Sequence, residues 1–254
     1  MDYLKAFTIG TSGPIWFLHM ASLSLVDKSY YDYSFKLYSI IAPIYFGLMS
    51  MLSVFIKNKF NLSLSMSLFI TSIISICFVV SFMYFISRKK YKPYKDYNRN
   101  EWIRYILRNG ARHLIEFNLI IYYFSKYFSN SYWLRIFIIG SSIFSYLVTY
   151  LKVIWADNKN KLNYKYETFA VGEPFIQGID LVIILFILQK LLGFKLIPSL
   201  IIWNLVGSLL QVFLAYNAKT YKYEGEEWFY YYIRAILSGF IKMIPFYYLI
   251  TYLK

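Results

Sequence analysis

The stretch Ser63-LSMSLFITSIISICFVVSFMYFI-Ser87 carries no charged residue from end to end, and it runs directly into Arg88-Lys89-Lys90. Roughly 20 apolar residues suffice for a helix to cross a bilayer, and inside hydrocarbon every backbone polar group must be satisfied within the segment. This run is long enough, and the basic cluster behind it marks the cytoplasmic side. The rest of the chain has the same character. Hydrophobic residues make up 59%, aromatic residues 22% and charged residues 16%, with a mean hydropathy of +0.45. A soluble domain has about 45–50% apolar and about 25% charged residues, so the solvent of this chain is itself apolar. Disorder, collagen, coiled coil and a disulfide scaffold are excluded. The single Cys77 cannot form an intrachain bridge, which leaves the redox compartment open.

Lys and Arg number 27 against 13 Asp and Glu, a net charge of +14. In a soluble chain this would point to nucleic acid; here it points to loops held at a membrane, and no nucleic-acid partner is expected. Apolar segments fall near 4–26, 37–56, 63–87, 103–128, 132–155, 168–194, 197–217 and 229–252. No cleavable signal peptide, internal repeat or domain break is evident, and residues 1–254 read as a single membrane domain. Between Arg88 and Arg112 lie nine basic residues, opposed only by Asp96 and Glu101. The segments 152–167 and 218–227 carry six further lysines and belong to the same, cytoplasmic side. Pro43 and Gly47 interrupt 37–56, so 34–57 is predicted as an extracellular, strand-like excursion. The expected fold is an all-α seven-transmembrane bundle, N-terminus cytoplasmic and C-terminus extracellular, with eight spans as the alternative.

Ionisable residues within hydrocarbon are expensive and are functional-site hypotheses by default. Lys242 lies thirteen residues past Phe229, and Glu116 thirteen past Ile103, about 20 Å along a helix. In a seven-span topology both helices start at one leaflet, so the amine and the carboxylate share a depth. His19 in the first span and Asp180 in the fifth fall in the same layer. Ser238 precedes Lys242 by one turn, on the same face. Plainer readings exist for each: Glu116 paired with Arg112, His19 and Trp203 as packing, Asp180 in a wet cavity, Lys242 as a structural cation. No zinc, thiol-redox, serine-hydrolase or nucleotide-loop motif occurs, so no enzyme activity and no metal site are expected. A lysine in an apolar pocket is chemically apt for a Schiff base with a carbonyl compound.

Three stretches resemble a known family: Phe17-Leu-His-Met20, Arg112-His-Leu-Ile-Glu-Phe-Asn118 and Ser238-Gly-Phe-Ile-Lys242. In layout and in these motifs the chain resembles the heliorhodopsins, retinal proteins with an inverted topology. The resemblance implies all-trans retinal on Lys242 as a protonated Schiff base, Glu116 as its counterion, Ser238 beside it and Trp203 along the polyene. His19 would join a proton network to which Glu173 and Asp180 add carboxyl groups. It also implies a photoreceptor, a homodimer in a lipid membrane, an unknown cytoplasmic signalling partner and possible passive proton transport as an ion channel. Residue usage rich in Lys, Asn, Tyr, Ile and Phe points to a viral or protist source. The second span lacks the histidine usual in that family. The rival reading is a retinal-free transporter or channel for a polar substrate, built around a buried Lys–Glu pair.

Overall fold

A computed structural model describes residues 2–24, 35–87, 97–163 and 166–253. Among them there is no strand, only one antiparallel bridge between Leu162 and Tyr221. The described chain divides into two compact units, Met1–Asn130 and Ser131–Lys254.

The first unit contains α1 (Tyr3–Gly10), α2 (Gly13–Ser24), α3 (Phe35–Phe60), α4 (Leu64–Phe82), α5 (Arg99–Ile115) and α6 (Tyr122–Tyr127). A π-helical turn, Met83–Ser87, extends α4, and another, Glu116–Ile121, joins α5 to α6. Local chemistry sets the starts. Asp2 accepts from the Leu4 amide, Ser63 from Met66, and Asn98 and Glu101 form a reciprocal capping box that opens α5. The second unit contains α7 (Tyr132–Gly140), α8 (Ile143–Asn158), α9 (Tyr166–Leu185, extended by a π turn Phe186–Leu191), α10 (Leu196–Asn217) and α11 (Glu227–Tyr252).

Among the described residues, six helical stretches are long and apolar enough to cross a membrane: Ser39–Phe60, Leu64–Phe85, Tyr132–Asn158, Gly172–Leu191, Leu196–Asn217 and Glu227–Tyr252. The first of these corrects the strand-like excursion predicted for 34–57, because Phe35–Phe60 is one helix of 26 residues. In the sequence alone, Pro43 and Gly47 read as breakers. A membrane helix tolerates proline where neighbours re-satisfy the freed backbone. Gly47 is a packing residue: a Cβ there would collide with Phe7 and Thr11, so its missing side chain lets α3 lie against α1.

The two units share one plan, which corrects the expectation of no internal repeat. In each, the first helix breaks at a Gly-Ser/Thr-Ser step, Ile9-Gly10-Thr11-Ser12 and Ile139-Gly140-Ser141-Ser142. The hydrogen bonds repeat as well. Thr11 N–H donates to the Phe7 carbonyl at 3.0 Å and Ser141 N–H to Phe137 at 2.9 Å; the Ser12 and Ser142 hydroxyls donate to Ile9 and Ile139 at 2.7 and 2.8 Å. The second helix carries Pro43-x-x-x-Gly47 or Pro174-x-x-x-Gly178, and each second glycine receives the first helix, Phe7 and Thr11 in one unit, Phe137 and Ser141 in the other. The last helix opens with Tyr97-x-x-x-Glu101-Trp102-x-x-Tyr105-x-x-Arg108 or Tyr223-x-x-x-Glu227-Trp228-x-x-Tyr231-x-x-Arg234. The ring geometry of these motifs matches: Tyr97–Trp102 and Tyr223–Trp228 both stand 5.5 Å apart, and Tyr84–Trp102 and Tyr216–Trp228 both 5.2 Å. Few residues are identical, and the Tyr84-to-Tyr97 stretch is longer than Tyr216-to-Tyr223, so the register slips and the repeat is hidden in the one-dimensional string.

Candidate functional site

In the second unit the site grows from four helices. Lys242, 6% exposed, lies midway along α11. Its Nζ donates to Thr149 Oγ1 of α8 at 2.6 Å and to Gln177 Oε1 of α9 at 3.0 Å. Gln177 is shared, since its Nε2 donates to Glu173 Oε1 at 2.5 Å and to Thr149 at 3.1 Å, while Ser145 donates to its Oε1 at 2.8 Å. Asp180, one turn beyond Gln177, accepts from Trp203 Nε1 at 2.9 Å. Lys152 Nζ donates to Ser238 Oγ at 2.9 Å. Gly239 lets the Asn204 amide of α10 lie against α11, since a Cβ there would displace it. Around these groups lies a cavity of about 410 Å³ whose lining includes Glu173, Gln177, Asp180, Trp203, Ser238 and Lys242.

The first unit holds a tighter cluster. Glu116, fully buried at the start of the π turn after α5, has Oε1 3.5 Å from Arg112 Nε and 3.6 Å from His19 Nδ1. His113 Nδ1 pairs with the Asn109 carbonyl at 2.8 Å. Phe46 of α3 sits among the rings, 4.9 Å from His19, 5.8 Å from His113 and 6.2 Å from Phe117. π turns interrupt the regular ladder and frequently occur at functional positions.

The repeat relates the two clusters. Carrying the Trp102/Trp228 register along the last helix places Glu116 opposite Lys242, and the Gly10/Gly140 register places His19 opposite Thr149. In both units the second half of the broken helix therefore touches the central ionisable residue of the last helix. His19, Thr149, Glu116 and Lys242 occupy matching places, with an acid at one centre and an amine at the other.

Of the residues singled out in the sequence, Lys242, Ser238, Trp203, Asp180 and Glu173 line one cavity, and Glu116 and His19 meet in the other unit. Glu116 does pair with Arg112, the plainer of the sequence readings. The sequence reads Lys152 as a loop charge; it lies inside α8, bonded to Ser238. Gln177 and Thr149 were missed altogether, being neutral residues in apolar helices. One signal was available: Glu173, Gln177 and Asp180 are spaced on one helical face. No described group of three or more His, Cys, Asp or Glu side chains is placed to hold a metal ion. Comparison with protein families, curated proteins and solved structures matches none of them.

Proposed function

We propose that this multi-pass membrane protein is a transporter or channel that holds a polar solute at the Lys242 site. One observation carries the reading: Lys242, held by Thr149 and Gln177, lines a cavity of about 410 Å³ together with Gln177 and the carboxyl groups of Glu173 and Asp180, among helices long and apolar enough to span a membrane. Charges at such depth line substrate or ion pathways as a rule. Lys242 would engage an anionic group of the solute, while Glu173 and Asp180 receive its donors. The test is thermal stabilisation of the purified protein by a panel of small anionic and zwitterionic solutes, beside Lys242→Met. Stabilisation by one class, lost in the variant, supports the reading; no response to any of them, or an equal response in the variant, defeats it.

The second reading is the retinal photoreceptor, favoured by Lys242 with Ser238 one turn before it and Trp203 across the same cavity. In that reading Glu173 and Asp180 join Glu116 as candidate counterions. Two carboxyl groups and the amides of Gln177, Asn204 and Gln211 stand in a largely apolar lining, more polar groups than a polyene needs, which is why this reading stands second. An absorption spectrum with added all-trans retinal, beside Lys242→Ala, separates the two: a visible band lost in the variant establishes the chromophore.

The proposed topology has eight spans, four in each unit. The broken helix Tyr3–Ser24 matches the membrane-length Tyr132–Asn158, and Arg99–Tyr127 matches Glu227–Tyr252. With the basic segments cytoplasmic, both chain ends then lie on the opposite side, in place of a cytoplasmic N-terminus. Cysteines placed at Asn61 and Gly193 in a Cys77→Ser background should react with an impermeant maleimide from one and the same side. Reaction from opposite sides would rule out the eight-span arrangement.

A further inference from the structure

A second cavity, about 370 Å³, lies in the second unit between α8, the 218–226 segment and α11. We infer that it is a binding site for the phosphate group of an anionic phospholipid, with Lys152 and Arg234 as the cationic contacts. Three features of its walls lead there. Both ionisable side chains other than tyrosine in the described lining are cations, and no carboxylate is among them. The remaining wall is largely aromatic: Tyr221 and Tyr223 stack 4.9 Å apart with planes 5° from parallel, and Tyr231 stands 5.0 and 5.7 Å from them. Arg234 spreads its guanidinium over Trp155 at 4.9 Å and Tyr223 at 5.8 Å, so the rings hold a planar donor fork at the rim.

The depth suits a lipid head group. Lys152 and Trp155 occupy the last two turns of α8, while Tyr231 and Arg234 lie in the first two turns of α11, where a spanning helix passes the interface. Aromatic belts collect at that level, and basic pockets between membrane helices take anionic head groups. Leu151 and Trp155 are 54% and 46% exposed, which opens the cavity sideways to acyl chains. An ammonium-bearing ligand would meet two cations with no acid between them, although aromatic walls alone would welcome it.

The first unit supplies an internal contrast. There the matching rings Tyr97, Trp102 and Tyr105 close on Met83, Val79 and Val80 as an apolar cluster. Arg108, the match of Arg234, also lies over a ring, 5.6 Å from Tyr105, so what differs is that the motif's rings are packed in one unit and line a cavity in the other. The site does not depend on which solute Lys242 binds, although Tyr221 and Tyr231 also line the Lys242 cavity.

The experiment compares the full-length protein in nanodiscs of phosphatidylcholine alone with nanodiscs containing phosphatidylglycerol, reading Tm and the lipids retained in native mass spectrometry. Phosphatidylglycerol should be retained selectively and raise Tm by roughly 2–4 °C. Arg234→Gln and Lys152→Gln should each weaken retention roughly fivefold. Equal retention of both lipids by the wild type overturns the proposal, whatever the variants do. Unchanged selectivity in both variants overturns it too. Inorganic phosphate added to detergent-solubilised protein should leave Tm unmoved; stabilisation by phosphate alone would make the ligand a soluble anion and defeat the lipid assignment.

Discussion

The two units place different chemistry on one scaffold. In the first, the central residue of the last helix is Glu116, packed beside Arg112 and His19 among aromatic rings. In the second, the matching residue is Lys242, bonded to neutral Thr149 and Gln177 on the wall of a cavity. The scaffold is set by small residues where helices touch: Gly10 and Gly47 in one unit, Gly140 and Gly178 in the other. The centre is free to vary, because changing its charge changes only the side chains around it. The shared positions therefore report on folding, and the divergent ones on function.

The strongest way to break the comparison is at the glycines. Gly10→Leu would press a side chain onto the Phe46 carbonyl, and Gly140→Leu onto Gly178 and Leu181. Each should cost about 3 kcal/mol or more, at the upper end of overpacking losses, read as loss of monodisperse protein. A unit that accepts leucine would show that the two helix pairs do not pack by the same rule. Of similar size is Glu116→Leu, which removes the carboxylate beside buried Arg112 and should cost about 3–5 kcal/mol. Glu116→Gln keeps the shape and should cost clearly less, measured as Tm in detergent. If both behave alike, the ion pair is not what Glu116 provides.

Trp102→Ala and Trp228→Ala then sharpen the contrast. Trp102 is 8% exposed within the Met83 cluster, so its truncation should cost about 3–5 kcal/mol. Trp228 is only partly buried, and its loss should be smaller. The reverse order would mean that the second cage, not the first, is the packed one. The smallest effect belongs to Lys161, which pairs with Glu227 at 2.9 Å on the surface. That hydrogen bond holds Lys161 above its usual pKa, so its contribution is present at neutral pH and fades as pH rises through the raised value. Solvent screening keeps the gain small, and Lys161→Ala should give no resolvable change in Tm.

Residues differ in how far they can be read without coordinates. Lys242 and Glu116 stood out because charge in an apolar run is a local anomaly. Lys152 did not, since a lysine near the end of a span reads as a loop cation until Ser238 is seen to receive it. Gln177 carries no charge and raised no flag, yet it connects Lys242, Glu173, Ser145 and Thr149. Pro43 misled because its effect on a helix depends on its surroundings, and water was the wrong surroundings to assume.

By itself, the sequence determined the solvent of this protein, the positions of most of its membrane helices and the residues whose charge is out of place. Those properties sum over single residues and their near neighbours, as burial in an apolar medium does. Only the tertiary structure decided that 35–60 is a helix, that the two units repeat the same helix break and ring contacts, and that Lys242 meets Thr149 and Gln177. These depend on contacts between helices far apart in the chain, where a missing Cβ or a matched pair of hydrogen bonds counts for more than residue identity.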